Sequence, residues 1–493
     1  MARKMNRNNA NEQNSREKAI VIIAATAFVA QLMSLAAALM YIASLSVLPM
    51  KYMLVLAAAC AVICVVCFLL LGKGRGRTAR CTLSMVVSLL VVALALTGIL
   101  YLRHIYASYN ASNRNARQVT TVMAVYVRQD AGYGDVSDLR GGVIGLNEDS
   151  QNRVEQVVSR LRELLGEDVQ TTKYMELSSQ VQALRNREVN AIVLNAAFVD
   201  TITEDIDSEF EAWAMRLPVE ITVRHDVSTT EVNVTRDTFI VYISGIDNRG
   251  GNVGDTGRSD VNMLAVVNPT AKKILLVNTP RDYYLGLYGD SGKMDKLTHA
   301  GLYGVDCSMA TLDALFGITT NYYVRVNFDS VVNIVDALGG ITVNSDYTFY
   351  STGSRDGTGY QFYVGDNELD GEAALAFARD RMSFGDGDRQ RGKNQQKVIS
   401  AIVDKATSPA ILTNFNSVLS TVLENTRTNV STEDINALIK MELSDMAKWS
   451  VESISVDGTG NNLRTYSAGY AYVMEPDMAT VQAAIDAIKA MYN

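Results

Sequence analysis

Four arginines and a lysine, Arg379, Arg381, Arg389, Arg391 and Lys393, fall in the twenty residues from Phe377 to Gln396. The surrounding sequence is strongly acidic, so this density of positive charge points to an anionic ligand. Arg379 and Arg381 alternate and face the same way on an extended segment, whereas Arg391 and Gln395 are one helical turn apart and share a face. A guanidinium is a planar fork of donors that stays charged at any physiological pH, which suits a phosphate or pyrophosphate. The alternative is a salt-bridged surface helix with Asp380, Asp386 and Asp388 as partners.

Carboxylates are the second ingredient. Asp247 follows an apolar strand, and Asp260 closes the glycine-rich run Gly257-Arg258-Ser259-Asp260 at the start of the next. Two carboxylates on adjacent strand ends can share a hard cation such as Mg²⁺, which keeps waters that phosphate can replace; turn-forming aspartates are the plainer reading. Arg281, in Thr279-Pro280-Arg281-Asp282, is a further candidate phosphate contact. Asp386-Gly387-Asp388 lacks the downstream Glu of a calcium loop and reads as a turn whose Asp388 caps the next helix. Either Asp388 or Asp260 could accept a proton from an acceptor.

The elements that position these residues begin near Asp237. Thr238–Ser244 is a continuous apolar strand of the buried kind, and Asn262–Val267 and Lys273–Val277 are two more, joined by the turn at Asn268–Ala271. Phe328–Leu338 is predicted as a helix stopped by Gly339-Gly340, with Phe328, Val331, Val332 and Val335 on an apolar face able to line a lipid pocket or simply to pack a core. This makes residues 237–493 an α/β domain. Residues 119–236 alternate strand-like and helical segments, among them Val122–Val127, Val154–Leu165 and Ala191–Leu194, and form a smaller α/β domain that resembles one lobe of a periplasmic solute-binding protein. A spacer or docking role is the reading favoured for it.

The 493 residues carry 45 Lys and Arg against 53 Asp and Glu, and the imbalance is uneven. Residues 1–117 hold 13 basic residues against Glu12 and Glu17, leaving a net −19 for the rest, which excludes nucleic acid as a natural partner. Three apolar runs, Ala19–Leu45, Tyr52–Leu71 and Leu83–Leu102, are long enough to cross a bilayer. Basic residues cluster in 1–18 and between the second and third runs, with only Lys51 between the first and second, so the amino terminus is expected in the cytoplasm and everything beyond about residue 102 outside. Residues 103–118 read as a juxtamembrane linker. Cys60, Cys64, Cys67 and Cys81 lie in or beside the spans and are read as packing residues; Cys307 stands alone outside, so no disulfide forms there.

The motif order is similar to that of the LytR-CpsA-Psr family of cell-wall glycopolymer ligases. It runs Gly245-Ile-Asp247-Asn-Arg249, Gly257-Arg258-Ser259-Asp260, Pro280-Arg281-Asp282, Lys296 through His299-Ala300, Asn327-Phe328, Asp336 to Gly340, Ala378-Arg379-Asp-Arg381, and Asp388 to Gln396. The resemblance implies an α/β/α sandwich that binds a polyprenyl (pyro)phosphate-linked glycan and transfers it, as its phosphate, to peptidoglycan, with a polyprenyl pyrophosphatase side activity. It places metal–phosphate ligands at Asp247 and Asp260, phosphate contacts at Arg281, Arg379, Arg381, Arg391 and Gln395, and an acidic residue beside them at Asp388. Asn394 stands where many members carry Arg. Three spans and a middle domain look like the capsule-associated branch rather than the common single-span form. A lipid-binding receptor without turnover remains the alternative; a transcriptional role fits worst, because only about 18 residues precede the first span.

Overall fold

A computed structural model describes residues 2–147, 151–227, 230–246, 253–287, 293–355, 357–408 and 411–492. The chain divides into two units: residues 1–110 with 431–446, and residues 111–430 with 447–493.

The first unit holds the apolar helices α1 (Ala2–Ser44) and α2 (Met50–Leu70) and all but the last turns of α3 (Arg77–Ala116). Within them Asn14–Ser44, Met50–Leu70 and Arg77–Ala107 are long and apolar enough to cross a membrane. Their contact is glued by polar groups: Ser88 Oγ donates to Gln31 Oε1 at 2.6 Å, and Gln31 Nε2 reaches Cys64 Sγ at 3.8 Å. Cys67 and Cys81 are buried in the same packing. The helix Thr432–Asp445 caps this unit. Its Asn436 donates to Leu45 O and accepts from the Tyr106 hydroxyl, both at 2.9 Å. The segment 103–116, expected as a linker, is instead helical and continues α3. It contains neither Gly nor Pro, so nothing in its polar composition stops the helix.

The second unit contains two sheets. The accessory sheet comprises β1 (Gln118–Arg128), β2 (Val143–Asn147), β3 (Gln170–Tyr174), β4 (Ala191–Asn195) and β5 (Ala214–Asp226), in the order β3-β2-β4-β1-β5. β2 runs parallel to β3 and β4, and β1 antiparallel to β4 and β5. Helices α4 (Gln151–Leu165) and α5 (Leu177–Arg185) make the crossovers. After β4 the chain makes a five-residue π-helical turn, Ile202–Ile206, an uncommon form often found near functional sites.

The larger sheet is built from β6 (Phe239–Ile246), β7 (Ser259–Asn268), β8 (Lys273–Thr279), β9 (Tyr322–Val326), β10 (Arg427–Thr428) and β11 (Ser450–Ser455), ordered β10-β9-β6-β7-β8-β11. β6, β7 and β8 form an antiparallel meander; β9 joins β6, and β11 joins β8, in parallel. Alternation along β6 sends Ile240 and Tyr242 to one face and Val241 and Ile243 to the other. The first pair packs with Leu312, Phe316 and Val481, the second with Ile399. Both faces are therefore covered, giving the expected α/β/α sandwich. Three helices carry the site: α6 (Phe328–Ala337), α7 (Gly371–Arg379) and α8 (Asp388–Ala406).

The two sheets share one continuous core. Phe198, Ile202 and Phe210 of the accessory domain pack in the same cluster as Leu302 and Tyr303 of the larger domain. Phe198 and Tyr303 meet edge to face at 5.1 Å, and Asn195 Nδ2 donates to Leu302 O at 2.7 Å.

Candidate active site

The ends of β6, β7 and β9 and the helices α6, α7 and α8 enclose a cavity of about 370 Å³. Its chemistry is divided. Ile246, Val326, Phe328, Val331, Val398 and Ile402 make an apolar lining, while Arg281, Arg379, Arg381, Arg391 and Gln395 form a polar wall. All five phosphate-contact candidates thus come together.

Each reaches the wall by a local device. Arg379 is the last residue of α7, so its charge sits at the negative end of that helix. Its guanidinium lies 4.0 Å from the centre of the Phe328 ring and Nη1 donates to Gly353 O at 3.0 Å. Arg381 follows in the turn after the extended Asp380 and has no hydrogen bond or ion pair among the described residues. The extended segment expected across both arginines is corrected here: Arg379 is helical, and the change of direction at Asp380 aims the pair at one cavity. Arg391 and Gln395 are one turn apart on α8, and Val398, Ile399 and Ile402 continue the same stripe.

Asp388 is also corrected. It is the first residue of α8, Gly387 precedes it as the cap, and no side chain caps the helix. Its carboxylate instead accepts from Arg391 Nη2 at 3.0 Å and lies 3.4 Å from Arg281 Nε. Arg281 Nη1 in turn donates to Asp260 Oδ1 at 3.0 Å. Burial pulls the Arg281 guanidinium down, but Asp260, Asp282 and Asp388 outweigh it and hold it above the usual arginine range. For Arg391 burial dominates and lowers its pKa, Asp388 opposing and Arg281 adding to the effect. A buried guanidinium so weakly compensated remains a cation and favours an incoming anion.

Of the four residues read as lining a lipid pocket, Phe328 and Val331 line the cavity, whereas Val332 and Val335 do not. The cavity meets only the first turn of α6. Val332 is pressed against Gly371, where an added Cβ would lie 2.4 Å from Val332 O, and Val335 lies about 10 Å along the axis from Phe328, inside the core with Leu338 and Ile341. Asn394 faces away from the cavity: it is buried, donates to Phe377 O at 3.2 Å and accepts from Gln390 at 3.0 Å.

Asp247 and Arg249 lie outside the described residues. Asp260 lines the cavity, and only its Oδ1 is engaged among the described residues, by Arg281 and, at 3.4 Å, by Thr298. A carboxylate with one open oxygen beside the arginine wall fits one ligand of a hydrated hard cation.

Sequence reasoning missed one pair. Arg258 lines the cavity, and Glu204, from the π-helical turn of the accessory domain, lines it too. The Glu204 carboxylate accepts from Arg258 Nη1 at 2.5 Å and Nη2 at 3.2 Å. This lowers the carboxyl pKa of Glu204, with Arg258 the largest cause, and raises that of Arg258. No spacing signal links residues 54 apart, although the glycines before Arg258 mark it as a loop residue.

The LytR_cpsA_psr family model matches residues 217–487. Among characterised proteins, the chain is 35% identical over 255 residues to the polyisoprenyl-teichoic acid–peptidoglycan teichoic acid transferase TagU of Enterococcus faecalis, covering 51% of this chain and 80% of the relative. It is 33% identical over 254 residues to the TagU of Bacillus mycoides, covering 51% and 78%. Similar solved structures include TagV of B. subtilis, with 25% identity, a TM-score of 0.44 and coverage of 52% of this chain and 98% of that one. Another is TagT bound to LIIa-WTA, with 28% identity, a TM-score of 0.42 and coverage of 54% and 94%. With more than half its length matched by the family model, the chain belongs to the LytR-CpsA-Psr family.

Proposed function

We propose that this protein is a membrane-anchored phosphotransferase that moves a glycopolymer from a polyprenyl pyrophosphate carrier to peptidoglycan. One observation carries the reading: four guanidinium groups and an amide form one wall of a cavity whose other walls are apolar. An isoprenoid tail would occupy the apolar part and its pyrophosphate would meet the arginines. The relatives' names, which specify a polyisoprenyl-linked donor and a peptidoglycan acceptor, support the same chemistry.

An acceptor hydroxyl attacks the glycan-bearing phosphorus. The bond to the bridging oxygen breaks, and its electron pair leaves on the polyprenyl phosphate. Arg379, Arg381 and Arg391 neutralise the charge spread over the non-bridging oxygens. Asp388, whose Oδ1 has no partner among the described residues, takes the proton of the attacking hydroxyl. Asp260, with Asp247, would hold Mg²⁺, which supplies further charge neutralisation when bound. Water in place of the acceptor gives a pyrophosphatase side reaction.

We assign the amino terminus to the cytoplasm and residues beyond the third span to the outer face, on the basic residues flanking the spans. Cys307 is buried, so a cysteine at exposed Thr459 is the thiol to follow. An impermeant thiol reagent should label it on intact cells, and protection until lysis would reverse the topology.

Three spans and an accessory domain support the capsule-type branch, whereas the named relatives act on teichoic acid. Incubating the full chain in detergent with peptidoglycan and each lipid-linked donor, with and without Mg²⁺, should give transfer from the capsule-type donor. Tight donor binding with no transfer under any condition would leave a lipid receptor.

A further inference from the structure

Beyond the arginine wall lies a second cavity of about 630 Å³ with a mainly polar lining. It shares Asp260, Arg281, Arg391 and Gln395 with the first, so the wall is a partition reached from both sides. Asp388 lines this second cavity and not the first.

Its outer side is a hairpin, β12 (Gly458–Thr465) and β13 (Gly469–Pro476). The register sets Gly460 opposite Met474, Asn462 opposite Tyr472 and Arg464 opposite Tyr470, and residues directly opposite share a face of the ribbon. Tyr472 and Tyr470 therefore project from one face with Asn462 beside them. Tyr472 lines the cavity, and the two side chains stay 51% and 79% exposed. Gly460 lets the Tyr472 ring lie against the strand: a Cβ there would come within 2.9 Å of the ring.

The hairpin is held on several sides. Arg389 of α8 donates to Asp457 Oδ1 at 2.6 Å and to Gly458 O at 2.8 Å. Tyr284 OH donates to Arg464 O, and the Arg464 guanidinium pairs with Glu176, each at 2.7 Å. Two half-bare aromatic rings on a braced ribbon, with an amide and carboxylates alongside, match the needs of a sugar: a flat apolar face for the pyranose ring and polar groups for its hydroxyls.

We propose that this cavity is the acceptor site, in which a glycan strand lies with one pyranose ring on Tyr472 and the next toward Tyr470. The proposal rests on the phosphotransferase reading above. The side of the wall decides between acceptor and donor glycan. In an in-line displacement the attacking and leaving oxygens stand on opposite sides of phosphorus. The leaving polyprenyl phosphate has its tail in the apolar cavity, so the attacking hydroxyl enters from the polar one. Its oxygen bonds to phosphorus as the bridging P–O bond breaks, the electron pair stays with the polyprenyl phosphate, and the proton passes to Asp388 in the same cavity.

The test uses the full chain in detergent, a lipid-linked donor, and a soluble β-1,4-linked amino-sugar oligosaccharide as acceptor. Acceptor KM should rise about tenfold in Tyr472→Ala and less in Tyr470→Ala, while Tyr472→Phe, which keeps the ring, stays near wild type. Thermal unfolding of each variant confirms that the hairpin is intact. A rise in donor KM with acceptor KM unmoved would assign the groove to the donor glycan and overturn the proposal, as would a Phe variant as poor as Ala. A wild-type chain that transfers nothing overturns the phosphotransferase reading and the acceptor site together. Transfer by wild type with acceptor KM unchanged in Tyr472→Ala overturns the acceptor site alone.

Discussion

Two clusters of arginine among the described residues are put to opposite uses. In the accessory domain Arg128, Arg185 and Arg187 meet Asp130, Asp207 and Glu209 at 2.6–3.2 Å, pairing three cations with three anions at the surface. In the larger domain Asp260, Asp282 and Asp388 engage Arg281 and Arg391, while Arg381 is left without an ion pair among the described residues. The first cluster has no charge to offer, and the second does. The strand ends differ in the same sense. The accessory crevice beyond β2 and β4, where a parallel sheet commonly binds ligand, retains only about 30 Å³, because Tyr303 and Tyr466 of the larger domain close it. A crevice becomes a site when it keeps both room and uncompensated charge.

The largest expected effects break the catalytic half of this contrast. Asp388→Asn removes the proposed proton acceptor and should slow transfer by about 10² to 10⁴ while the chain still binds pyrophosphate. Arg379→Ala and Arg381→Ala should each cost about one to two orders of magnitude, from a charge-assisted hydrogen bond worth roughly 1.5 to 3 kcal/mol, and should weaken pyrophosphate binding as well. Lys at either position keeps the charge but loses the fork, and should fall between Ala and wild type. Wild-type turnover in both Ala variants, with only melting temperature changed, would make the second cluster another salt-bridged surface like the first.

The accessory half is tested by stability. Leu161 is fully buried between α4 and the accessory sheet, so Leu161→Ala should cost about 2 to 5 kcal/mol. Because the accessory and larger domains share one core, a single unfolding transition should shift as a whole, with little change in turnover below it. Two separated transitions would show that the shared core does not couple the domains.

Much of this was legible in the residues and some was not. The buried strand Thr238–Ser244, the helical stripe from Arg391 to Gln395 and the excess of arginine follow from local pattern, and all appear where periodicity puts them. What sequence could not resolve was distance along a shared face. Phe328 and Val335 are equivalent by helical phase, yet two turns separate cavity from core. For Asp388 the resemblance set the carboxylate beside the arginines, but the cap reading failed because cap and first residue differ by one position, and the approach of Arg281 from the turn after β8 decides where the carboxylate points. Glu204 was invisible because its partner comes from the other domain.

Glu204 gives the smallest effect and the finest test, since it is where the paired and the unpaired designs meet. Its bridge to Arg258 joins the accessory domain to the rim of the arginine-walled cavity with a neutralised pair of the accessory type. The Glu204 side chain is 55% exposed, so solvent screening holds the contribution to at most about 1 kcal/mol. Its folded pKa lies below the ordinary 4.5, so the stabilisation is present above that value and is lost as pH falls through the depressed one. Wild type and Glu204→Gln should therefore differ slightly in melting temperature at pH 7 and converge as the pH is lowered through the depressed pKa of Glu204. Glu204→Gln also releases the Arg258 fork, adding an uncompensated cation to the wall, and pyrophosphate should bind a few-fold more tightly at pH 7. Weaker binding in that variant would mean that Glu204 holds Arg258 in place for the ligand and does not compete with it.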